Sequence, residues 1–459
     1  MNVLLVESHY RTRSWYLAMQ GLADIFIIST MPEERELFIS QGVPNENILN
    51  IHHPNLDSYD TVETVQNLKK IESQFSINVS ELALMDRTLR KKTPEYINRY
   101  SYYIVNKIQK FISDKNIDVT FLEPTWMHDL VVERVCFSKN IPVLCPRNDR
   151  FLKNKFIFFK GRSFDDYFIR DCHENGKLSA GRTIDCVLSE EKPLYFHKYS
   201  ARNKFRLSKL VVLFRLFRLT ILRAKNNNIQ PPFLTSVYKK FIAILKVYYL
   251  SKFSPFRNLS ELKQRYIMIT LHVQPESSID VAGSKFSNQI EFVKQCVKTT
   301  PIDHLVVVKE HPHAVGNRPS GFYNELLSIP NLVILDPFED SKAAIRQASL
   351  VISVTGTSSY EAAIMGVPAI TAVEVFFKKL MMRKSFNPYT DSVDGLIQEI
   401  GPHKNKINKN YIRSTLAEIQ SNIFSGNVQD CKTEPKVLSK ENIKNLRSSF
   451  SEVINSFKK

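Results

Sequence analysis

The chain has 459 residues, too many for one typical domain and suited to two domains of about 150–200 residues with extra segments. Hydrophobic residues make up 43% and charged residues 24%, which excludes a disordered tail. The formal net charge of +17 calls for something anionic: nucleic acid, a membrane surface or a phosphorylated substrate.

Taken in chain order, the opening run Val3–Val6 reads as a buried strand; it is too short for a secretion signal, and Glu7 ends it at once. Strands are expected over 2–6, 24–28, 117–122 and 141–144, and helices over 13–22, 80–91, 94–115 and 127–138. Strands that alternate with helices imply a parallel sheet covered on both faces. The stretch 151–265 differs. Its first part has mixed charges without a period, and from 198 to 265 it is strongly basic, with Glu261 the sole acid. Within it, 207–225 and 237–253 read as basic amphipathic helices separated by the breaker NNNIQPP. Alternation resumes at Tyr266, with strands over 266–271, 304–308, 332–335, 350–354 and 369–371 and helices over 288–298, 321–328, 341–348 and 358–365. The tail is polar and ends in a helix over 440–457, which could pack on either domain. The expected organisation is therefore a first Rossmann-like domain (1–150), a basic, partly helical insert (151–265), a second Rossmann-like domain (266–400) and a helical tail (401–459). The cysteines Cys136, Cys145, Cys172, Cys186, Cys296 and Cys431 are scattered without a C-x-x-C pair, which fits small buried side chains in a reducing compartment. No uncharged apolar stretch of about 18 residues occurs, so no membrane span is expected.

Four segments carry polar chemistry at expected strand ends. In LVISVTGTSSYEAAIMGVPAI a strand runs into Thr355-Gly356-Thr357, and a helix opens at Ser358 or Ser359. Free N–H groups and hydroxyls at such a point bind phosphate; equally, Thr357 and Ser358 could cap the helix with Glu361 as capping-box partner. In VVVKEHPHAVGNRP a strand delivers Lys309, Glu310, His311 and His313 to its carboxyl end, with Arg318 beyond. Open α/β sheets bind ligands there. Lys309, His311 and Arg318 suit an anion, and each could instead be structural. LHVQPESS offers Gln274 and Glu276 about Pro275, fit for sugar hydroxyls or an ordinary polar loop. FLEPTWMHDLVVERV places Glu123 at a strand end and His128 and Asp129 in the next helical turn. A carboxylate there suits a general base or nucleophile, or is a solvated loop acid. Arg147 and Arg150 follow as anion binders or solvated cations. No H-E-x-x-H, P-loop, G-x-S-x-G or D-x-D pattern appears, which favours metal-independent chemistry.

Together, QPE at Gln274–Glu276, KEHP at Lys309–Pro312, the TGT-S-x-x-E-A stretch from Thr355 to Ala362 and FLEPTWMHD resemble the capsule polysaccharide biosynthesis family, which includes β-linked 3-deoxy-manno-octulosonic acid (Kdo) transferases and is similar to some bacterial sialyltransferases. The likeness is good over 266–371, weaker over 80–160 and poor elsewhere. It implies a GT-B fold, two Rossmann-like doubly wound domains facing across a cleft. It implies a glycosyltransferase using a nucleotide-sugar, plausibly a CMP-activated acidic sugar, with no cofactor and no metal. The acceptor would be a glycan or lipid-linked glycan. By that resemblance His311, Ser358 and Ser359 hold the donor phosphate, with Gln274, Glu276, Lys309, Arg318, Thr355, Gly356 and Thr357 around the donor and Glu361 near the nucleotide. Glu123 is the catalytic carboxylate, with Asp129 competing for the role and His128 beside it. Two rivals share the fold, a nucleotide-sugar epimerase and a polyol-phosphate transferase using a CDP-activated donor. A third, a nucleic-acid-binding protein, lacks a recognisable motif. The basic amphipathic stretch reads better as contact with an anionic membrane, on the cytoplasmic face, or as core helices with snorkelling cations.

Overall fold

The computed structural model describes residues 1–7, 10–51, 56–170, 176–189, 254–403 and 409–458, with 242–243, 245–246 and 249–250 between them. The chain divides into two units, 1–174 with 227–229 and 421–459, and 175–226 with 230–420.

In the first unit, apolar runs such as NVLLV and DIFIIS form strands buried on both faces, as a helix-covered parallel sheet requires. Its strands are β1 (Asn2–Val6), β2 (Asp24–Ser29), β3 (Ile48–Asn50), β4 (Val119–Phe121), β5 (Val143–Asn148), β6 (Lys155–Lys160) and β13 (Phe424–Ser425). They lie in the order β13-β6-β5-β4-β1-β2-β3. The pairs from β5 to β3 are parallel, while β6 and β13 add antiparallel strands at one edge. Chain order reverses at β1/β4, the place where doubly wound sheets open a ligand crevice.

The second unit holds β7 (Phe256–Arg257), β8 (Tyr266–Thr270), β9 (Leu305–Lys309), β10 (Leu332–Leu335), β11 (Leu350–Ser353) and β12 (Ala369–Thr371). Their order is β12-β11-β8-β9-β10-β7, with every pair parallel. The reversal falls at β8/β11. Both expected parallel-sheet α/β domains are therefore present.

The boundaries differ from those expected. Residues 155–160 are not insert: KFIFFK is β6, whose Phe156 and Phe158 are buried in the first core. The tail divides. Helix Lys409–Gln420 belongs to the second unit, and the chain from Ser421 onward belongs to the first. The basic stretch 207–225 lies outside the described residues. In 237–253 the described positions are helical, Leu250 packs against the second core, and Lys246 donates to the Arg318 carbonyl at 2.9 Å. Among the described residues no helix is long and apolar enough to cross a membrane.

The last helix, Lys440–Ser456, explains why the tail returns to the first unit. Its buried face, Leu446, Phe450, Val453 and Ile454, completes that core. Phe450 meets Phe121 edge-on at 5.1 Å and Phe158 at 5.2 Å, with Trp15 at 6.3 Å. Arg170 fastens the same tail, donating to both Glu452 oxygens at 2.7 Å and to the Ile423 carbonyl. Truncating a fully buried aromatic leaves a cavity, so Phe450→Ala is expected to cost the first unit about 3–5 kcal/mol, read as a shift of its urea midpoint. A shift under about 1 kcal/mol would show that the tail is not part of that core.

Candidate functional site

In the second unit, the carboxyl ends of β9, β8 and β11 lie side by side. What shapes them is a buried ion pair. Glu310, fully buried, receives Arg318 Nε on Oε2 and Arg318 Nη2 on Oε1, both at 2.8 Å. Tyr323 donates its hydroxyl to the same carboxylate at 3.1 Å, and the His311 N–H donates at 2.6 Å. Arg318 also donates to the His272 carbonyl at 2.8 Å and lies over the Phe322 ring. A two-pronged pair of this kind fixes the loop 310–318 against the loop that follows β8.

His311 is thereby set at the strand end. Its Nδ1 accepts the His313 N–H at 3.1 Å, so the ring proton sits on Nε2. Burial, then the nearby His313, Lys309, His272 and Arg318, push its pKa down to about 3. The imidazole is neutral at pH 7 and offers one N–H donor. His272 Nε2 accepts the Thr355 N–H at 3.2 Å, tying the loop after β8 to the loop after β11.

That second loop opens the helix Thr357–Ile364, whose N-cap is Gly356. Among the described residues no side chain caps it and its first turn has no acid; the Ser359 N–H donates to the Gly356 carbonyl at 3.2 Å, which leaves the N–H groups of Thr357 and Ser358 open. The capping-box alternative is thus not what the fold builds: Glu361 lies in the second turn, buried. Thr357 and Ser358 are the first two helical residues, half-buried, with hydroxyls that have no partner among the described residues. Gly356 has an ordinary extended backbone; what demands glycine is closeness, since a Cβ would lie 3.0 Å from that of Ser353. The helix ends as expected at Gly366, whose φ of 75° lets the Val367 N–H reach back to the Ala362 carbonyl.

Several expected donor-binding side chains are instead committed to the fold. Lys309 is buried and donates to the Asp336 and Pro337 carbonyls at 2.9 and 2.7 Å, and burial lowers its pKa to about 8. Arg318 is held by Glu310. Gln274 donates to Asp280 at 2.7 Å and to the Ser287 carbonyl, and accepts from Gln289. Ser359 is fully buried, donating to the Ile370 carbonyl at 3.2 Å and lying 2.7 Å from the Ser353 hydroxyl. Thr355 Oγ1 donates to the Ser278 carbonyl at 3.3 Å. Glu276 is half-buried beside them, its N–H bonded to Asp280. The groups left to meet a ligand are His311 Nε2, Glu276, Thr357, Ser358 and the open helix start.

In the first unit, Glu123 follows β4 and forms an ion pair with Arg11, Nε to Oε2 at 2.7 Å. Arg11 stands in the loop after β1, so the pair spans the β1/β4 reversal. Arg147, at the end of β5, stacks on Phe164 at 3.9 Å; burial lowers its pKa, countered by Cys145 and Glu123. Asp129 does not compete with Glu123. It is fully buried and accepts the Thr125 and Trp126 N–H groups at 3.0 and 2.9 Å, reaching back from the third helical position to the N-cap Trp126 as the acid of a capping box does. His128 is buried too, its Nε2 3.3 Å from Asp129 Oδ1, and burial takes its pKa down to about 4. Glu123, with 13% of its side chain exposed, is the more accessible of the two acids. Sequence reading did not single out His272 or Arg11; the cue for both was position, in the loops that follow the buried strands β8 and β1.

Neither a protein-family model nor a curated protein matches the chain. Solved structures to which it is similar include the UDP-GlcNAc 2-epimerase of Neisseria meningitidis bound to UDP-GlcNAc, at 12% identity over 99% of this chain and 100% of that one, TM-score 0.29. Another is KpsC of Thermosulfurimonas dismutans, a β-Kdo 2,7 transferase, at 13% identity over all of both chains, TM-score 0.38. A third is MurG of Acinetobacter baumannii, at 10% identity over 99% of each, TM-score 0.27. At this level of likeness, what the chain does must be read from its own side chains.

Removing one member of a buried ion pair strands the other, so Arg318→Met is expected to destabilise the second unit by about 3–5 kcal/mol, with much of this recovered in Glu310→Leu/Arg318→Met. Urea unfolding checks both. A second expectation concerns pH. The folded pKa of His128 lies below its unfolded value of about 6.5, so the unfolded chain takes up the proton first as pH falls. The contribution of His128 itself is therefore fully present above pH ~6.5 and falls by up to about 1.4 kcal/mol per pH unit toward pH 4, while the buried Glu34, raised to about 8, acts in the opposite sense as pH falls from 8. His128→Gln should remove the first contribution, read as the difference between the wild-type and variant pH profiles; coincident profiles would place the sensitivity elsewhere.

Proposed function

We propose that the chain is a glycosyltransferase of GT-B type that moves a sugar from a nucleotide donor to a glycan or lipid-linked glycan of the cell surface. The observation that carries this is the pairing, at the carboxyl ends of β9 and β11, of a neutral His311 Nε2–H donor with an uncapped helix start at Thr357 and Ser358. Neutral N–H donors, hydroxyls and a helix N-terminus bind a nucleotide phosphate and stabilise the charge it gains on leaving. The motif resemblance supports a CMP-activated acidic sugar such as Kdo or a sialic-acid-like sugar as donor. The enzyme works in the cytoplasm without a resident cofactor.

In this reading the acceptor hydroxyl oxygen attacks the anomeric carbon, and the bond from that carbon to the donor phosphate oxygen breaks. The electron pair leaves with the phosphate, met by His311 and the helix start. The hydroxyl proton passes to the Glu123 carboxylate, held in place by Arg11 at 2.7 Å. Arg11 and Arg147 keep the surroundings of Glu123 positive, which suits an acceptor bearing acidic groups.

Incubation with CMP-, UDP-, GDP- and CDP-activated donors, with and without a glycan acceptor, tests the proposal. Acceptor-dependent CMP release is expected. Free epimerised sugar without acceptor would replace transfer by epimerisation. Glu123→Gln should lower kcat about 100-fold or more while donor affinity holds. Donor affinity should fall about tenfold in His311→Ala, the loss of roughly one charge-assisted hydrogen bond. Full activity in Glu123→Gln would remove the base from Glu123.

A further inference from the structure

The first unit holds one guanidinium in place without neutralising it. Strand β5 runs parallel to β4 and continues past its end: Leu144 lies opposite Phe121, and β5 goes on to Asn148. Arg147 therefore stands beyond β4, beside the turn that carries Glu123. Arg11 comes from the loop after β1, on the other side of β4. Neighbouring strands lie about 4.8 Å apart, so the two guanidiniums flank one carboxylate. Arg11 neutralises that carboxylate at 2.7 Å. Arg147 is left over.

What fixes Arg147 is a ring. Its guanidinium lies 3.9 Å from the centre of Phe164, which Phe159 braces edge-on at 5.9 Å. A ring face orients a cation but supplies no counter-charge. Among the described residues no hydrogen bond or ion pair engages the guanidinium. Its Nε is buried; Nη1 and Nη2 are not, and these are the donors a ligand would meet. The acids beside it are already engaged, Glu123 by Arg11 and Asp149 by the N–H groups of Phe151 and Leu152 at 2.8 and 2.7 Å. Cys145 is an uncharged thiol at pH 7, since burial raises its pKa. Burial, and then the like charges of Arg11 and Arg150, press on the charge of Arg147, so a bound anion would relieve a cost the fold bears without one. The planar fork of a guanidinium suits the two oxygens of a carboxylate or phosphate.

We propose that Arg147 binds an oxyanion on the acceptor, a sugar carboxylate or a phosphate, within about one sugar residue of the hydroxyl that Glu123 deprotonates. An acidic acceptor completes the site, while a neutral one leaves the guanidinium without a partner. The inference rests on Glu123 as the acceptor base, and it makes Arg147 the residue that selects acidic acceptors.

The test is calorimetric titration of the full chain with methyl α-glucuronoside, methyl α-glucoside and α-glucose 1-phosphate, probes on matched rings that differ in the acidic group. At least one acidic probe is expected to bind tenfold or more tightly than methyl glucoside, the worth of one charge-assisted pair. The stronger of the two names the source, an acidic sugar or a phosphate. Arg147→Met should erase the preference and leave affinity for methyl glucoside unchanged. Arg147→Lys, which keeps the charge but not the fork, should retain part of it. No partner is stranded in Arg147→Met, so its urea midpoint should match the wild type, which shows that the loss is not one of folding. A wild type without acidic preference would overturn the proposal, as would a preference that survives in Arg147→Met, since the helix start of the second unit also suits phosphate. These readouts need no turnover. Acidic preference that depends on Arg147, without transfer from any donor, would keep this site and end the transferase reading.

Discussion

The buried pair between Glu310 and Arg318 is the interaction on which the second unit's binding face depends. A carboxylate removed from water is tolerated only when its lone pairs are filled, and here a guanidinium, a phenol and a backbone N–H fill them. Satisfying that one charge orders the loop from strand end to Arg318. It also brings the His272 carbonyl into the network, and His272 in turn receives the N–H of Thr355. Three strand ends are thus linked through one desolvated carboxylate, and His311 projects from the result in a fixed tautomer.

The first unit reaches the same end by other means. Asp86 and Asp129 accept the backbone N–H groups around residues 125–127, so the turn after β4 is rigid before any ligand arrives. Glu123, two residues past the strand, is left facing Arg11 from the neighbouring strand's loop. Beneath lies an aromatic cluster to which the chain terminus contributes Phe424 and Phe450. A sheet edge that would otherwise stand open is extended by β6 and β13.

Charge is distributed along with these structures. Among the described residues the positive charge is not one patch. Some of it is buried and neutralised, as in Arg318; some is used to brace loops, as in Lys309; some stands beside the Glu123 carboxylate, as in Arg11. A composition-level charge therefore says only that cations are abundant, and position says which of them the fold has already used.

The sequence by itself determined the strands and helices of the second unit closely, because short apolar runs bounded by caps and glycines leave little freedom: the elements at 332–335 and 369–371 match residue for residue. It also located Glu123, His311, Thr357 and Ser358 at strand ends, since alternation of strand and helix puts such residues on one edge of a sheet. Tertiary structure decided the rest. KFIFFK reads as an edge of an irregular stretch until β5 and β13 pair with it, and the final amphipathic helix carries no mark of which core it completes. Lys309, Gln274, Ser359 and Asp129 look like ligands in a line of letters because the groups that engage them, carbonyls at 336–337 and 370, Asp280, the N–H groups at 125–126, are distant or featureless in sequence. A polar residue's type is written locally, but whether its hydrogen bonds are already filled is settled by what the folded chain places within about 3 Å of it.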